Sequence, residues 1–218
     1  MSVMLFIVWP ELDIHIASVF YDPQTKEFIG QGVLLLRVTY IVFAYLHIPI
    51  LIVLLACIVF FHIRRKSKCR ICTIYLLCCL LAGPGILVNL FLKDNGTGRA
   101  RPFQVSVFGG EGKFTEPFVY SGACSQNCSF TSGHAAMGYV FIALAWVRRR
   151  RQYFIAGCVL GSILGLVRMA QGAHFLSDVI FSFWAVYFVS LGIAKIFDLA
   201  VAPPGKERGS FWLSTALR

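Results

Sequence analysis

The stretch FIAGCVLGSILGLVRMAQGAHFLSDVIFSFWAVYFVSLGIA, residues 154–194, decides the fold. Its two apolar arms, 154–167 and 179–194, read as helices that approach the roughly 20 residues needed to cross a bilayer. The seam RMAQGAHFLSD (168–178) carries an Arg, a His and an Asp. An unpaired charge near hydrocarbon costs at least ~2.5 kcal/mol, so Arg168, His174 and Asp178 require partners or a task.

The rest of the chain repeats the pattern. Of 218 residues, 58% are hydrophobic and 14% charged, where a soluble domain carries about 25% charged residues. Spans are expected over 38–61, 71–92, 134–147 with its flanks, 153–172 and 174–199. MSVMLFIV, before Trp9-Pro10, is a short sixth apolar segment that either lies in the interface or belongs to a longer first helix. It lacks the basic start and the small-residue cleavage site of a signal peptide. With no linker or composition break, residues 1–218 form a single domain. The expected fold is an all-α integral membrane protein of about six helices.

Basic residues in short loops orient such a chain. HIRRKSKCR (62–70) and RRRR (148–151) lie two crossings apart, so both fall on the cytoplasmic side, as does the tail 203–218. The 9–37 segment, the 93–133 loop and the 168–174 turn then fall outside. The net charge of +10 gathers beside apolar runs, a topological signal that gives no reason to expect a nucleic-acid partner. In the outer loop, Cys124 and Cys128 form a possible disulfide, or remain a free pair. Other cysteines near the spans read as small apolar fillers. AGPG (82–85) is expected to kink its helix.

Three polar clusters share the outer face. KDNGTGRARP (93–102) offers Lys93, Arg99 and Arg101 among glycines; cations at a helix end also serve simply to contact lipid headgroups. SFTSGHAAMG (129–138) opens a membrane helix with Thr131 or Ser132 as its N-cap. Amides near Gly133 then face any anion placed there, although a capped helix with a structural histidine has the same sequence. In the seam, His174 and Asp178 are four apart, which on a helix puts them on one face. A carboxylate accepting the ring N–H fixes the tautomer a histidine nucleophile requires; a buried structural His–Asp pair reads alike. Taken together, two histidines, an aspartate and several cations suit a transferring phosphoryl group. Asp94, Glu111 and Glu116 are too scattered for a Mg²⁺ cage, so no metal or cofactor is expected.

With these residues assembled, the chain resembles the type 2 phosphatidic acid phosphatase family, relatives of the vanadium haloperoxidases. The family pattern K-x6-RP, PSGH and SR-x5-H-x3-D appears as Lys93…Arg101-Pro102, Thr131-Ser132-Gly133-His134 and Val167-Arg168…His174…Asp178. Seven residues, not six, separate Lys93 from Arg101, so either the glycine-rich turn absorbs one or Arg99 acts as an auxiliary. Thr131 replaces the usual Pro, and Val167 the usual Ser.

The resemblance implies a metal-independent phosphatase with a phosphohistidine intermediate. It makes His174 the nucleophile, Asp178 its orienting partner and His134 the general acid. Lys93, Arg101, Ser132, Gly133 and Arg168 would hold the phosphate. Within the family the overall look is closest to bacterial lipid A phosphatases, especially those removing the 4′-phosphate. That implies a multi-pass protein of the bacterial inner membrane, its site facing the periplasm and its partners a lipid substrate and the bilayer. Undecaprenyl diphosphate and phosphatidylglycerophosphate phosphatases share the motifs. A non-catalytic lipid-binding or transport protein is the remaining alternative.

Overall fold

The structure is a computed structural model that describes residues 2–94 and 96–199; the tail expected over 203–218 lies outside them. Along the chain run α1 (Ser2–Val8), α2 (Leu12–Ser18) and a small antiparallel hairpin, β1 (Tyr21–Asp22) with β2 (Glu27–Phe28). Helices α3 (Leu34–Tyr45), α4 (His47–Ile63) and α5 (Ser67–Leu80) follow, then α6 (Gly133–Tyr139), α7 (Leu144–Arg148), α8 (Arg151–Ala170) and α9 (Leu176–Ile196). The break between α3 and α4 has a local cause. Pro49 has no N–H to donate to the Tyr45 carbonyl.

Four helical stretches among the described residues are long and apolar enough to cross a membrane: Leu34–Ile63, Ser67–Lys93, Arg151–Ala170 and Leu176–Ile196. The fifth expected span behaves differently. Residues 133–148 are helical throughout, as α6, a 3₁₀ turn Val140–Ala143, and α7, but they are almost wholly enclosed. Small side chains permit this: a Cβ on Gly138 would stand 2.5 Å from the Gly161 Cα, so α6 and α8 touch backbone to backbone. Close approach of this kind replaces the missing hydrophobic drive between helices in lipid. Around α6, the core joins Tyr75, Cys79, Val88, Ala135, Ile142, Met169 and Val186. By contrast α3 and α4 bury no residue, as suits helices bathed in acyl chains.

The expected kink at AGPG takes another form. α5 continues without interruption as a wide π-helical stretch, Leu81–Asp94. Pro84 removes one ladder donor at its start, and the Asn89 side-chain amide donates to the Pro84 carbonyl at 2.7 Å. The widened helix passes against the head of α6, where a Cβ on Gly133 would meet Asn89 Oδ1 at 2.6 Å.

Both basic clusters share one end of the bundle: Lys68, Arg148 and Arg149 line one cavity with Asp198. The motif residues gather at the other end. There the hairpin packs Phe28 edge to face with Tyr21 and Phe108, and Phe28 covers Gly172.

Candidate active site

His174 is set by the turn between α8 and α9. Gly172 takes a left-handed φ of +65°, which glycine adopts without steric cost, and its carbonyl accepts from the Phe103 amide at 3.1 Å. The Ala170 carbonyl accepts from the Gly30 amide at 2.8 Å. His174, only 1% exposed, is thus fixed by backbone on both sides. α9 begins at Leu176, so His174 precedes the helix and does not share a helical face with Asp178 as expected. Instead Asp178, in the first turn, reaches back.

That first-turn carboxylate is fully buried and accepts from the Phe175 amide at 2.8 Å, the Ser129 hydroxyl at 2.5 Å and Arg99 Nη1 at 2.8 Å. A carboxylate near a helix N-terminus is also favoured by the macrodipole. His174 Nδ1 lies 2.8 Å from the Ser129 carbonyl and 3.5 Å from Asp178 Oδ2. Its N–H therefore donates mainly to the carbonyl, with the carboxylate as a longer second acceptor. Nε2 is left buried with no hydrogen-bonding partner, its lone pair available. Burial, outweighing Asp178, pushes the imidazole down to about 3 from its ordinary 6.5, so the ring is neutral at pH 7.

The cations divide into two roles. Arg99 is fully buried. Its guanidinium donates to Asp13 and Asp178, each at 2.8 Å, to Ser177 Oγ at 2.8 Å and to the Thr115 carbonyl at 2.8 Å. It also lies 4.3 Å from the Phe175 ring centroid. The expected auxiliary phosphate contact gives way to an internal strut. Arg101, partly exposed, reaches the Asn127 carbonyl through Nη2 (2.7 Å) and Nε (3.2 Å), and Asn127 Oδ1 through Nη2 (2.9 Å). Burial lowers its pKa from the usual range. Asn127 is enclosed by a disulfide between Cys124 and Cys128. Between Lys93 and Arg101, Gly98 has φ +65°, and a Cβ there would strike the Cys124 carbonyl at 2.9 Å.

Arg168 closes α8, donating to Gln171 Oε1 at 2.5 Å and lying 4.5 Å over the Tyr40 ring; its Nε is buried without a partner. The charges of Arg101 and Arg168 both reach His174. Lys93 lines a cavity with Asn89, Gly133 and His134 whose floor is Leu51, Leu81 and Met137. Ser132, not Thr131, is the N-cap of α6: its Oγ accepts from the Ala135 amide at 3.4 Å. His134 stacks on Tyr40 with centroids 4.7 Å apart, Nε2 facing the Tyr40 carbonyl at 3.3 Å.

Five contributors escaped the sequence reading. Tyr40 sits in an apolar run and gives no polar signal. Asn127 precedes the second motif, Ser129 opens the stretch around it without a role in the pattern, and Gln171 is a spacer position inside the third. Asp13 stands in a short helix far from all of them. The 103–130 loop is pinned inward, with Phe114 on Phe175 and Phe118 on Phe130 and Phe181.

A bundle of apolar helices thus draws two histidines, a carboxylate and several arginines to one end. Residues 72–201 match the PAP2 superfamily, and the chain belongs to that family. It is 38% identical over 197 residues to the lipid A 4'-phosphatase of Francisella tularensis subsp. novicida (strain U112), covering 84% of this chain and 88% of that protein. It is also 38% identical to the lipid A 4'-phosphatase of Rhizobium leguminosarum, covering 55% of this chain and 51% of that one. A lipid A 4'-phosphatase of Rhizobium etli (strain ATCC 51251 / DSM 11541 / JCM 21823 / NBRC 15573 / CFN 42) is 42% identical over 103 residues, 46% of this chain and 40% of its own length. No solved structure matches. Family and relatives together make the chain a phosphoric monoester hydrolase.

Proposed function

We propose that the chain removes the 4′-phosphate of lipid A at the periplasmic face of the bacterial inner membrane, without a metal, through a phosphohistidine. The observation that carries this reading is His174 itself: neutral, its Nδ1–H engaged, its Nε2 buried and unpartnered. Nε2 attacks phosphorus as the ester oxygen departs. His134, whose pKa burial and the charges of Arg168 and Lys93 lower to about 3 in the free protein, takes up a proton as the phosphate dianion enters beside it and gives it to that oxygen, a contribution of roughly 10²–10⁴ in rate. In the second half His134 takes a proton from water as its oxygen attacks the phosphohistidine, which returns His174 and releases inorganic phosphate. Arg101, Arg168, Lys93, the Ser132 hydroxyl and the Gly133 amide offset charge on the phosphoryl oxygens. As Nε2 bonds to phosphorus the His174 ring turns cationic, and Asp178 supplies the compensating negative charge.

The supporting substrate argument is the similarity to lipid A 4'-phosphatases over most of the chain, together with a site at the ends of helices fit to cross a membrane. Mass spectrometry of lipid A incubated with the purified chain in EDTA, beside His174→Ala, tests it. Loss of one phosphate, mapped by fragmentation to the 4′ position, in the wild type alone is the expected result. Intact lipid A alongside hydrolysed undecaprenyl diphosphate would reassign the substrate.

A further inference from the structure

We infer that Asp13, on helix α2, is a positioning residue of the reaction, acting on the His174–Asp178 pair through Arg99. The inference rests on the phosphohistidine reading above. Asp13 is fully buried and outside the residues that match the family. One of its oxygens takes Arg99 Nη2 at 2.8 Å and the Ser177 hydroxyl at 2.5 Å; the other takes the Ser177 amide at 2.9 Å. Arg99 Nη1 donates to both Ser177 Oγ and Asp178 Oδ1 at 2.8 Å. The side chains run in series: Asp13, Arg99, Asp178, His174.

The charge count gives the series its purpose. Arg99 and Asp178 alone form a neutral pair, and a neutral pair stabilises a cationic imidazole poorly. Burial raises the Asp13 pKa, while Arg99 and the Ser177 hydroxyl donate to its anionic form; as a second carboxylate on the far side of the guanidinium it leaves the group with net negative charge, felt by His174 when it becomes positive on forming the N–P bond. Such fields act strongly where water is excluded. Asp13 does this without approaching the phosphate, whose proposed ligands are Arg101, Arg168 and Lys93. Geometry adds to charge: Ser177 lies between the helix start and Asp13, so α2 also fixes the turn from which Asp178 projects.

The test is steady-state phosphate release from lipid A by the purified full chain. Asp13→Asn, which keeps the shape and removes the charge, is expected to lower kcat by about tenfold or more with KM changed less than about twofold. A loosened substrate site would raise KM as well, and kcat is taken per folded protein. In an Asp178→Asn background the same change is expected to cost less than about threefold, because the two act as a unit. Ser177→Ala removes the bridging hydroxyl but leaves both charges. It serves if Asp13→Asn does not accumulate, with a smaller kcat loss and the same steady KM. Unchanged kcat, a KM rise matching the kcat loss, or equal losses in both backgrounds would overturn the inference and leave the phosphatase reading intact. No phosphate release by the wild type, with His174→Ala indistinguishable from it, would strike down both together.

Discussion

Tyr40 stacks on His134 with a centroid separation of 4.7 Å and an interplanar angle of 26°, and its other neighbour is the guanidinium of Arg168. One ring from an otherwise lipid-facing helix thus spaces a proposed general acid and a proposed phosphate ligand. Aromatic contacts of this kind are worth about 0.5–1.5 kcal/mol. Tyr40→Ala is expected to reduce kcat/KM roughly three- to tenfold. Tyr40→Phe keeps the ring and the main-chain carbonyl and is expected to match the wild type. Phosphate release from both variants checks this, and an equal loss in the two would assign the effect to the hydroxyl instead.

Arg101 depends on a loop closed by a disulfide. Serine at Cys124 or Cys128 leaves Asn127 untethered, and Asn127→Gly removes one acceptor while tolerating the local φ of +54°. Hydrogen bonds of this kind contribute about 0.5–1.5 kcal/mol, so each change is expected to lower kcat/KM a few-fold to about tenfold. Combined, Cys124→Ser and Asn127→Gly are expected to cost little more than either alone. Fully additive losses would show that the disulfide acts elsewhere.

The Asp13–Arg99–Asp178 series sets a stability prediction. Removing one member of a buried ionic group leaves the others uncompensated, at a cost of about 3–5 kcal/mol. Arg99→Met is therefore expected to lower Tm by roughly 10 °C. The triple change with Asp13→Asn and Asp178→Asn is expected to recover most of that loss while remaining inactive. Thermal melts in detergent report both.

A pH effect follows from His174. Its folded pKa, about 3, lies below the ordinary 6.5 because burial disfavours the imidazolium. Between those values the unfolded chain binds a proton that the folded chain refuses, so this group's contribution to stability is lost as pH falls from about 6.5 toward 3. The slope approaches 1.4 kcal/mol per pH unit for one proton. Replacing His174 by Asn is expected to flatten Tm against pH in that window, and parallel curves for the two proteins would contradict the assignment.

How much of this was legible in the sequence depends on range. The apolar runs marked the helices, and the seam 168–178 marked the site, because both signals are local. The enclosure of 133–148 was not visible: its composition is as apolar as a lipid-facing span, and only the close approach at Gly138 and Gly161 makes it central. The His174–Asp178 spacing was read on a helix, whereas the helix starts two residues later and the carboxylate turns back to cap it. Arg99 and Arg101 look interchangeable as letters. The positions of Asp13 and Asn127, both distant along the chain, send one inward and leave the other at the surface.

The series through Arg99 also bears on how the protein is made. Asp13 leaves the ribosome early, whereas its partners follow 86 and 164 residues later, and contacts so distant in sequence form late. Until α9 arrives, Asp13 and Arg99 have only each other, and the Nη1 edge of the guanidinium that later meets Ser177 and Asp178 is without those acceptors. Insertion of that span brings Asp178 and Ser177 to the waiting pair in one event. The burial of Asp13 and Arg99 is therefore completed only when the last helix of the bundle is in place.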